Sequence, residues 1–265
     1  MNVQEEIRTL LPADCKLGQT VHYYEEIDST NRLAKELARD GAAGGTVILA
    51  DRQTAGRGRL GKSFHSPAGG LYLSVILRPD LPFSDMMAVT ACTASAVHEA
   101  LADFGIITKI KWVNDLFLND RKICGILCEG GFHPQNGLME FLVVGIGLNL
   151  YPDAALPAEL ADIVTDIRTE TGHNLSRNAV AASILTQLNV FMDGITERSF
   201  LPVYTKYSYT IGKQVIVSRT LSGNVSHETL GLAVGYSRDA GLIVRFSDGN
   251  EEIITTGTAV FADGQ

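Results

Sequence analysis

Apolar residues recur along this chain in two rhythms, one of strands and one of helices. Positions 21–27 and 46–50 read as strands, and 71–77 (Leu-Tyr-Leu-Ser-Val-Ile-Leu) has the length and bulk of a third. Between the first two, Leu33, Ala34, Leu37 and Ala38 fall at helical spacing. Asp28-Ser29-Thr30 offers N-cap chemistry ahead of them and Gly41 a stop, which predicts a helix through Arg39. Ser84 is placed to cap a long helix through Phe104, ended by Gly105. A β-rich block follows at 107–112, 116–118, 122–129 and 140–146, with a turn at Asn119-Asp120. Positions 151–171 carry prolines and acidic residues and read as a loop with a short helix, and Ser176 opens a helix predicted to reach about Arg198.

The pattern shifts near Ile211. Short β-like runs at 214–218, 229–236, 242–246 and 252–255 alternate with turns, among them the hairpin signal Asp248-Gly249. Two domains follow from this, 1–210 and 211–265, the second a small β-barrel. Strands come in runs and do not alternate strictly with helices, so the larger part is α+β, a mixed sheet with flanking helices.

Composition narrows the function classes. The 265 residues are 45% hydrophobic and 20% charged, with a net charge of −8, ordinary values for a globular enzyme and unfavourable for broad contact with nucleic acid or anionic lipid. The opening MNVQEEIRTLL lacks the basic region and apolar core of a signal peptide, and no apolar run approaches membrane-spanning length. Cys15, Cys92, Cys124 and Cys128 show no C-x-x-C spacing, and Cys124 and Cys128 share a strand face with Ile126. Buried reduced thiols and a cytoplasmic setting are expected.

Against that acidic background, residues 53–64 (QTAGRGRLGKSF) stand out. Arg52, Arg57, Arg59, Lys62 and Arg78 fall within 52–79, a span without Asp or Glu. Gly56, Gly58 and Gly61 satisfy G-x-G-x-x-G, and Gly56, Gly61, Lys62 and Ser63 satisfy the phosphate-loop pattern. Both motifs require the turn to open a helix. Here His65-Ser66-Pro67-Ala68-Gly69-Gly70 and a strand come next, so both named readings fail. A glycine-rich cationic loop that wraps an anionic small molecule remains.

A second cluster, Lys111-Trp112-Val113-Asn114-Asp115, precedes Arg121-Lys122-Ile123-Cys124-Gly125-Ile126-Leu127, and Gly145-Ile146-Gly147-Leu148-Asn149 follows. Taken singly these are weak: lysines beside strands are usually solvated, Trp is usually core, and Asn-Asp is a turn signal. In this order and spacing, with Ser29-Thr30-Asn31, 53–61 and Gly70-Leu71-Tyr72-Leu73-Ser74, they resemble the biotin protein ligases. The resemblance is specific over about 20–150, weaker over 151–210 and architectural beyond. Val113 stands in place of a usual proline, Phe64 of a frequent tryptophan, and Ser237 of a common acidic residue.

The resemblance implies a class II synthetase-like catalytic domain, an SH3-like C-terminal barrel and a two-step reaction. Biotin attacks ATP, accompanied by Mg²⁺, to give biotinyl-5′-AMP; a lysine of a biotin carboxyl carrier protein then takes the biotin. It places Lys122 and Arg57 at the reacting centre. Ser29, Thr30, Asn31, Gln53, Arg57, Gly58, Arg59 and Lys122 fall around biotin. Arg59, Lys62, Lys111, Trp112, Asn114, Asp115 and Asn149 fall around ATP or the adenylate. A family habit of pairing through a sheet edge implies a homodimer. About twenty residues precede the first strand, too few for a helix-turn-helix, so no DNA binding is expected. A lipoate–protein ligase is the nearest rival enzyme; a biotin-binding sensor or adaptor without catalysis is the rival from another class, and a phosphate-loop NTPase the third.

Overall fold

The computed structural model describes residues 1–221, 225–255 and 259–261. In chain order the elements are α1 (Val3–Leu10), β1 (Thr20–Ile27), α2 (Thr30–Arg39), β2 (Thr46–Gln53), β3 (Gly70–Leu77), α3 (Met86–Ala102), β4 (Lys109–Lys111), β5 (Asp115–Leu118), β6 (Arg121–Phe132) and β7 (Met139–Asn149). Then come α4 (Ile167–Thr171), α5 (Arg177–Asp193), α6 (Leu201–Lys206), β8 (Gln214–Leu221), β9 (Val225–Tyr236), β10 (Leu242–Phe246), β11 (Glu251–Ile254) and β12 (Ala259–Phe261).

Among the described residues β1 to β7 form one seven-stranded sheet, order β1-β2-β3-β7-β6-β5-β4. The β1–β2 pair is parallel because α2 crosses between them, and every other neighbouring pair is antiparallel. One face carries α2, whose Ala34 and Ala38 pack on Ile48, Ile76, Phe141 and Val143. The opposite face is covered by α1, α3 and α5 and joins the main core. With both faces covered, all eight residues of β3 are buried, which is why that strand reads as a nearly unbroken apolar run. Its serine hydroxyl, Ser74, faces the start of α2 and becomes part of the site.

β8 to β12 form a second, five-stranded antiparallel sheet, order β11-β10-β9-β8-β12, in keeping with the SH3-like expectation. Its buried Val215, Val217, Ala233, Leu242, Val244 and Phe261 belong to the same continuous core as the large sheet. Three elements escaped the sequence pattern. In α1 the capping box of Asn2 and Glu5 starts a helix that buries Ile7 fully. The helix expected to reach Arg198 stops at Asp193, and α6 follows with Pro202 in its first turn. β12 pairs with β8 after the last expected strand. The thiols are free, and burial pushes Cys124 upward first of all, as it does Cys128, to about 11.

His98 on α3 is fully buried, with Nδ1 2.8 Å from Thr108 Oγ1, no partner for Nε2, and its ring against Tyr207. Burial pulls its pKa from 6.5 down to about 4. Between those values the unfolded chain takes up a proton that the native state refuses, so stability falls as pH drops through that window. The expected loss from this residue between pH 7 and pH 5 is about 2 kcal/mol. Urea midpoints of the protein and of His98→Leu at both pH values check this. An equal pH slope in the two would remove His98 as the cause.

Candidate functional site

The N-terminus of α2 is the polar end of a cavity. Ser29 caps the helix, its hydroxyl oxygen accepting from Arg32 N, and Ser29, Thr30 and Asn31 are all buried. Buried hydroxyls and amides need partners, and here they form a chain. Thr30 Oγ1 donates to Gln53 Oε1 (3.0 Å), and Gln53 Nε2 donates to Ser66 Oγ (2.9 Å). Ser74 Oγ lies 2.8 Å from Thr30 Oγ1 and 2.6 Å from Asn31 Oδ1. Asn31 Nδ2 reaches Leu127 O (3.2 Å) and Glu129 Oε2 (3.1 Å). Asn31 thus spends both ends of its amide on the wall and sets the cavity's shape; Ser29, with only its oxygen engaged, keeps a proton to donate.

Glycines make the approach to this network. A Cβ on Gly145 would stand 2.0 Å from Asn31 Oδ1, and one on Gly147 2.4 Å from the Phe64 ring. A Cβ on Gly125 would likewise stand 2.8 Å from that ring. The glycine-rich loop closes the other side as a short hairpin: Phe64 N donates to Gly56 O (2.9 Å), Arg57 pairs with Ser63, and Gly58 N donates to Lys62 O (2.7 Å). No helix follows it, and β3 begins at Gly70. Ser29, Thr30, Asn31, Gln53, Arg57, Gly58, Arg59, Phe64, Asn114 and Lys122 converge with these glycines around one cavity of about 60 Å³. That is far below the roughly 300–1,000 Å³ of small-molecule sites, so the loop must lift for a ligand to enter.

The cations are anchored. Lys122 Nζ is 2.7 Å from Asp115 Oδ1, Arg59 Nη1 donates to Asn114 Oδ1 (2.8 Å), and Asn114 Nδ2 donates to Asp115 Oδ1 (2.8 Å). Lys122 also lines a second cavity, of about 330 Å³, with Lys62, Phe64, Tyr72, Asn149, Leu156, Leu160, Ile163 and Val164. Its far wall is the 152–166 segment, held by Lys122 N donating to Ile163 O and Thr165 N to Lys122 O, both 2.9 Å. His65 Nε2 lies 2.8 Å from Asp153 Oδ2 across the rim, and that contact leads in holding the Asp153 carboxyl below its ordinary range. Phe64 stands between the two cavities and lines both.

Lys111 and Trp112 are not brought to either cavity. Lys111 Nζ sits 4.3 Å from the Phe261 ring centre and 5.2 Å from that of Phe117. Trp112 is buried, its Nε1 donating to Ala240 O (2.8 Å) and its backbone N to Thr210 Oγ1 (2.9 Å). They fasten the second sheet to the turn that carries Asn114 and Asp115, and the Trp112–Val113 peptide bond in that turn is cis. Val113 O accepts from the Tyr204 hydroxyl. Sequence reasoning missed Glu129, the partition role of Phe64, and the wall at Leu156, Leu160 and Ile163. For the wall, the three- and four-residue spacing of those apolar positions was the one available signal.

A family model described as the biotin/lipoate A/B protein ligase family matches residues 23–149, which hold the whole first cavity. The chain belongs to that family. Its relatives include proteins named as biotin ligases and as bifunctional ligase/repressors. The bifunctional ligase/repressor BirA of Bacillus spizizenii is 35% identical over 235 residues, 86% of this chain and 71% of the relative. The biotin–[acetyl-CoA-carboxylase] ligase of Paracoccus denitrificans is 30% identical over 234 residues, covering 85% of this chain and 94% of the relative. The biotin protein ligase of Aquifex aeolicus, solved in complex with biotin and ATP, superposes with a TM-score of 0.76 at 28% identity, over 92% of this chain and 98% of that one.

Proposed function

We propose that this chain is an ATP-dependent biotin–protein ligase. It joins the biotin carboxylate to the α-phosphate of ATP, giving biotinyl-5′-AMP and pyrophosphate. It then passes the biotinyl group to a lysine of a biotin carboxyl carrier protein and releases AMP. One observation carries the reading: Lys122 lines both cavities, where a carboxylate held in the first would meet a phosphate held in the second.

The first cavity suits biotin. Ser29, Thr30 and Gln53 offer neutral polar partners to a ureido ring, and Ile126, Leu127, Ile146 and the glycines offer an apolar bed. Arg57, Gly58 and Arg59 cover the carboxylate end. The second cavity, apolar at Leu156, Leu160 and Ile163 with Asn149 and Lys62 on its walls, suits a purine and its phosphates. Two anions must be driven together, so fixed cations aimed at the reacting oxygens supply the main catalytic term. Among the described residues no cluster of three carboxylate, His or Cys groups forms a metal site. Mg²⁺ would accompany the triphosphate and neutralise its charge, and the Asp115 carboxylate and the Asn114 amide oxygen would be the oxygen donors available to it once released from Lys122 and Arg59. Residues 1–210 carry the activation chemistry in this reading, and the described part of 211–265 braces the 111–115 turn through Ala240 and Phe261.

Asp115→Ala should weaken ATP use, with a rise of about tenfold or more in the ATP KM and biotin binding largely kept. Unchanged ATP KM and turnover would take Asp115 out of the nucleotide site. The substrate itself is tested by thermal shift: biotin should raise the melting temperature and lipoate should not. The reverse order would move the chain to the lipoate ligases.

A further inference from the structure

We propose that Glu170 is a positioning residue of the second cavity: from outside both cavities its carboxylate fixes Thr165, and Thr165 in turn seats Lys122 and the Asn149 amide, two groups that would meet ATP there. The inference rests on the ligase reading only for its kinetic readout.

Thr165 is buried, and each of its polar atoms is spent on a different element. Its backbone N donates to Lys122 O (2.9 Å), its carbonyl accepts from Asn149 Nδ2 (3.0 Å), and its hydroxyl donates to Glu170 Oε1 (2.7 Å). Lys122 stands at the start of β6 and Asn149 at the end of its antiparallel neighbour β7, and both line the second cavity. With its Nδ2 committed to Thr165, Asn149 has its amide oxygen left to offer a ligand. A shift of Thr165 would therefore release two cavity groups at once.

What holds Thr165 is the carboxylate beyond it. Glu170 lies on α4, a helix of five residues capped by Asp166, and lines neither cavity. Besides the Thr165 hydroxyl, its Oε1 takes the Arg121 guanidinium, and its Oε2 accepts from Asn119 Nδ2 (2.7 Å). Asn119 and Arg121 flank Asp120 in the tight turn into β6, where Asn119 and Asp120 both have positive φ. One carboxylate thus joins the cavity wall to the turn that delivers Lys122. Its side chain is only 8% exposed. Burial would raise its pKa, but the hydrogen bonds from Thr165, Asn119 and Arg121 and the charge of Arg121 outweigh it, leaving the carboxyl below its ordinary range. It is ionised at neutral pH, and three donors depend on it.

Glu170→Gln keeps the size of the side chain and leaves one acceptor oxygen for three donors. The test is a double-substitution cycle with Thr165→Val, which keeps the shape and backbone of Thr165 and deletes the hydroxyl. It is read by steady-state pyrophosphate exchange and by hydrogen exchange at the Thr165 amide. In the wild-type background Glu170→Gln should raise the ATP KM about tenfold, with the biotin KM within about twofold, and speed exchange at the Thr165 amide about tenfold. Thr165→Val should do the same, and in its background the further effect of Glu170→Gln should shrink to about twofold or less. Thr165→Ser, which keeps the hydroxyl, should stay within about twofold of wild type. An unchanged ATP KM, an equal rise in both KM values, or effects that multiply in the double variant would mean that Glu170 serves general stability and would overturn the proposal. Absence of any biotin-dependent pyrophosphate exchange in the wild type would instead overturn the ligase reading, while the amide arm of the cycle still decides whether Glu170 acts through Thr165.

Discussion

Lys122→Ala is expected to cut biotinyl-5′-AMP formation by about 10² to 10³ while leaving biotin binding largely intact. Lys122 opens β6 just after a tight turn, and its backbone is fixed on both sides, by β5 and by the 163–165 segment. Its ammonium rests 2.7 Å from Asp115 and lines both cavities, within 5.8 Å of the Phe64 ring centre. A charge so placed acts on the phosphate oxygens as negative charge builds in the transition state, and its effect is large because the closed site excludes water. In the proposed arrangement biotin would make most of its contacts deeper, at Ser29, Thr30 and Gln53, which remain in the variant. Single-turnover formation of the adenylate, measured beside biotin binding by calorimetry, separates the two. Adenylate formation at near wild-type rate would remove Lys122 from the reacting centre.

Arg59→Gly should turn a retentive enzyme into a leaky one. Arg59 crosses from the glycine-rich loop to Asn114, so a side-chain hydrogen bond ties the loop to the far side of the cleft. An acyl-adenylate hydrolyses readily and acylates any nearby amine, so the enzyme must keep it covered until the acceptor lysine arrives. Glycine removes both the tether and the cation that, in the proposed reaction, would face the adenylate's negative charge. The variant should still activate biotin, and biotin should appear on bystander lysines such as those of serum albumin, roughly tenfold or more above wild type. Equal bystander labelling by wild type and a folded, active variant would make Arg59 an ordinary loop arginine.

The sequence made the main sheet and most of the first cavity legible, for physical reasons that differ from element to element. β3 was legible because burial on both faces forces an unbroken apolar run, and the start of α2 because Ser29 has the chemistry of an N-cap. The glycine-rich loop was legible by contradiction: its motifs demanded a helix that Pro67 and Gly69-Gly70 forbid. Lys111 and Trp112 were drawn toward the nucleotide by their neighbours in the motif. Contacts that seat them, Lys111 with Phe261 and Trp112 with Ala240, come from far along the chain, and no local pattern announces them. Glu129 was hidden for the same reason, since its contacts join α2, β6 and the loop. The wall at Leu156, Leu160 and Ile163 becomes meaningful only once 163–165 is seen to pair beside Lys122.

Exchange of labelled pyrophosphate into ATP tests the central claim most directly, because it reports adenylate formation at the junction of the two cavities without any carrier protein. The account predicts exchange that requires both biotin and Mg²⁺, is not supported by lipoate, and is lost in Lys122→Ala. Exchange without biotin, or exchange supported by lipoate and not by biotin, would contradict it.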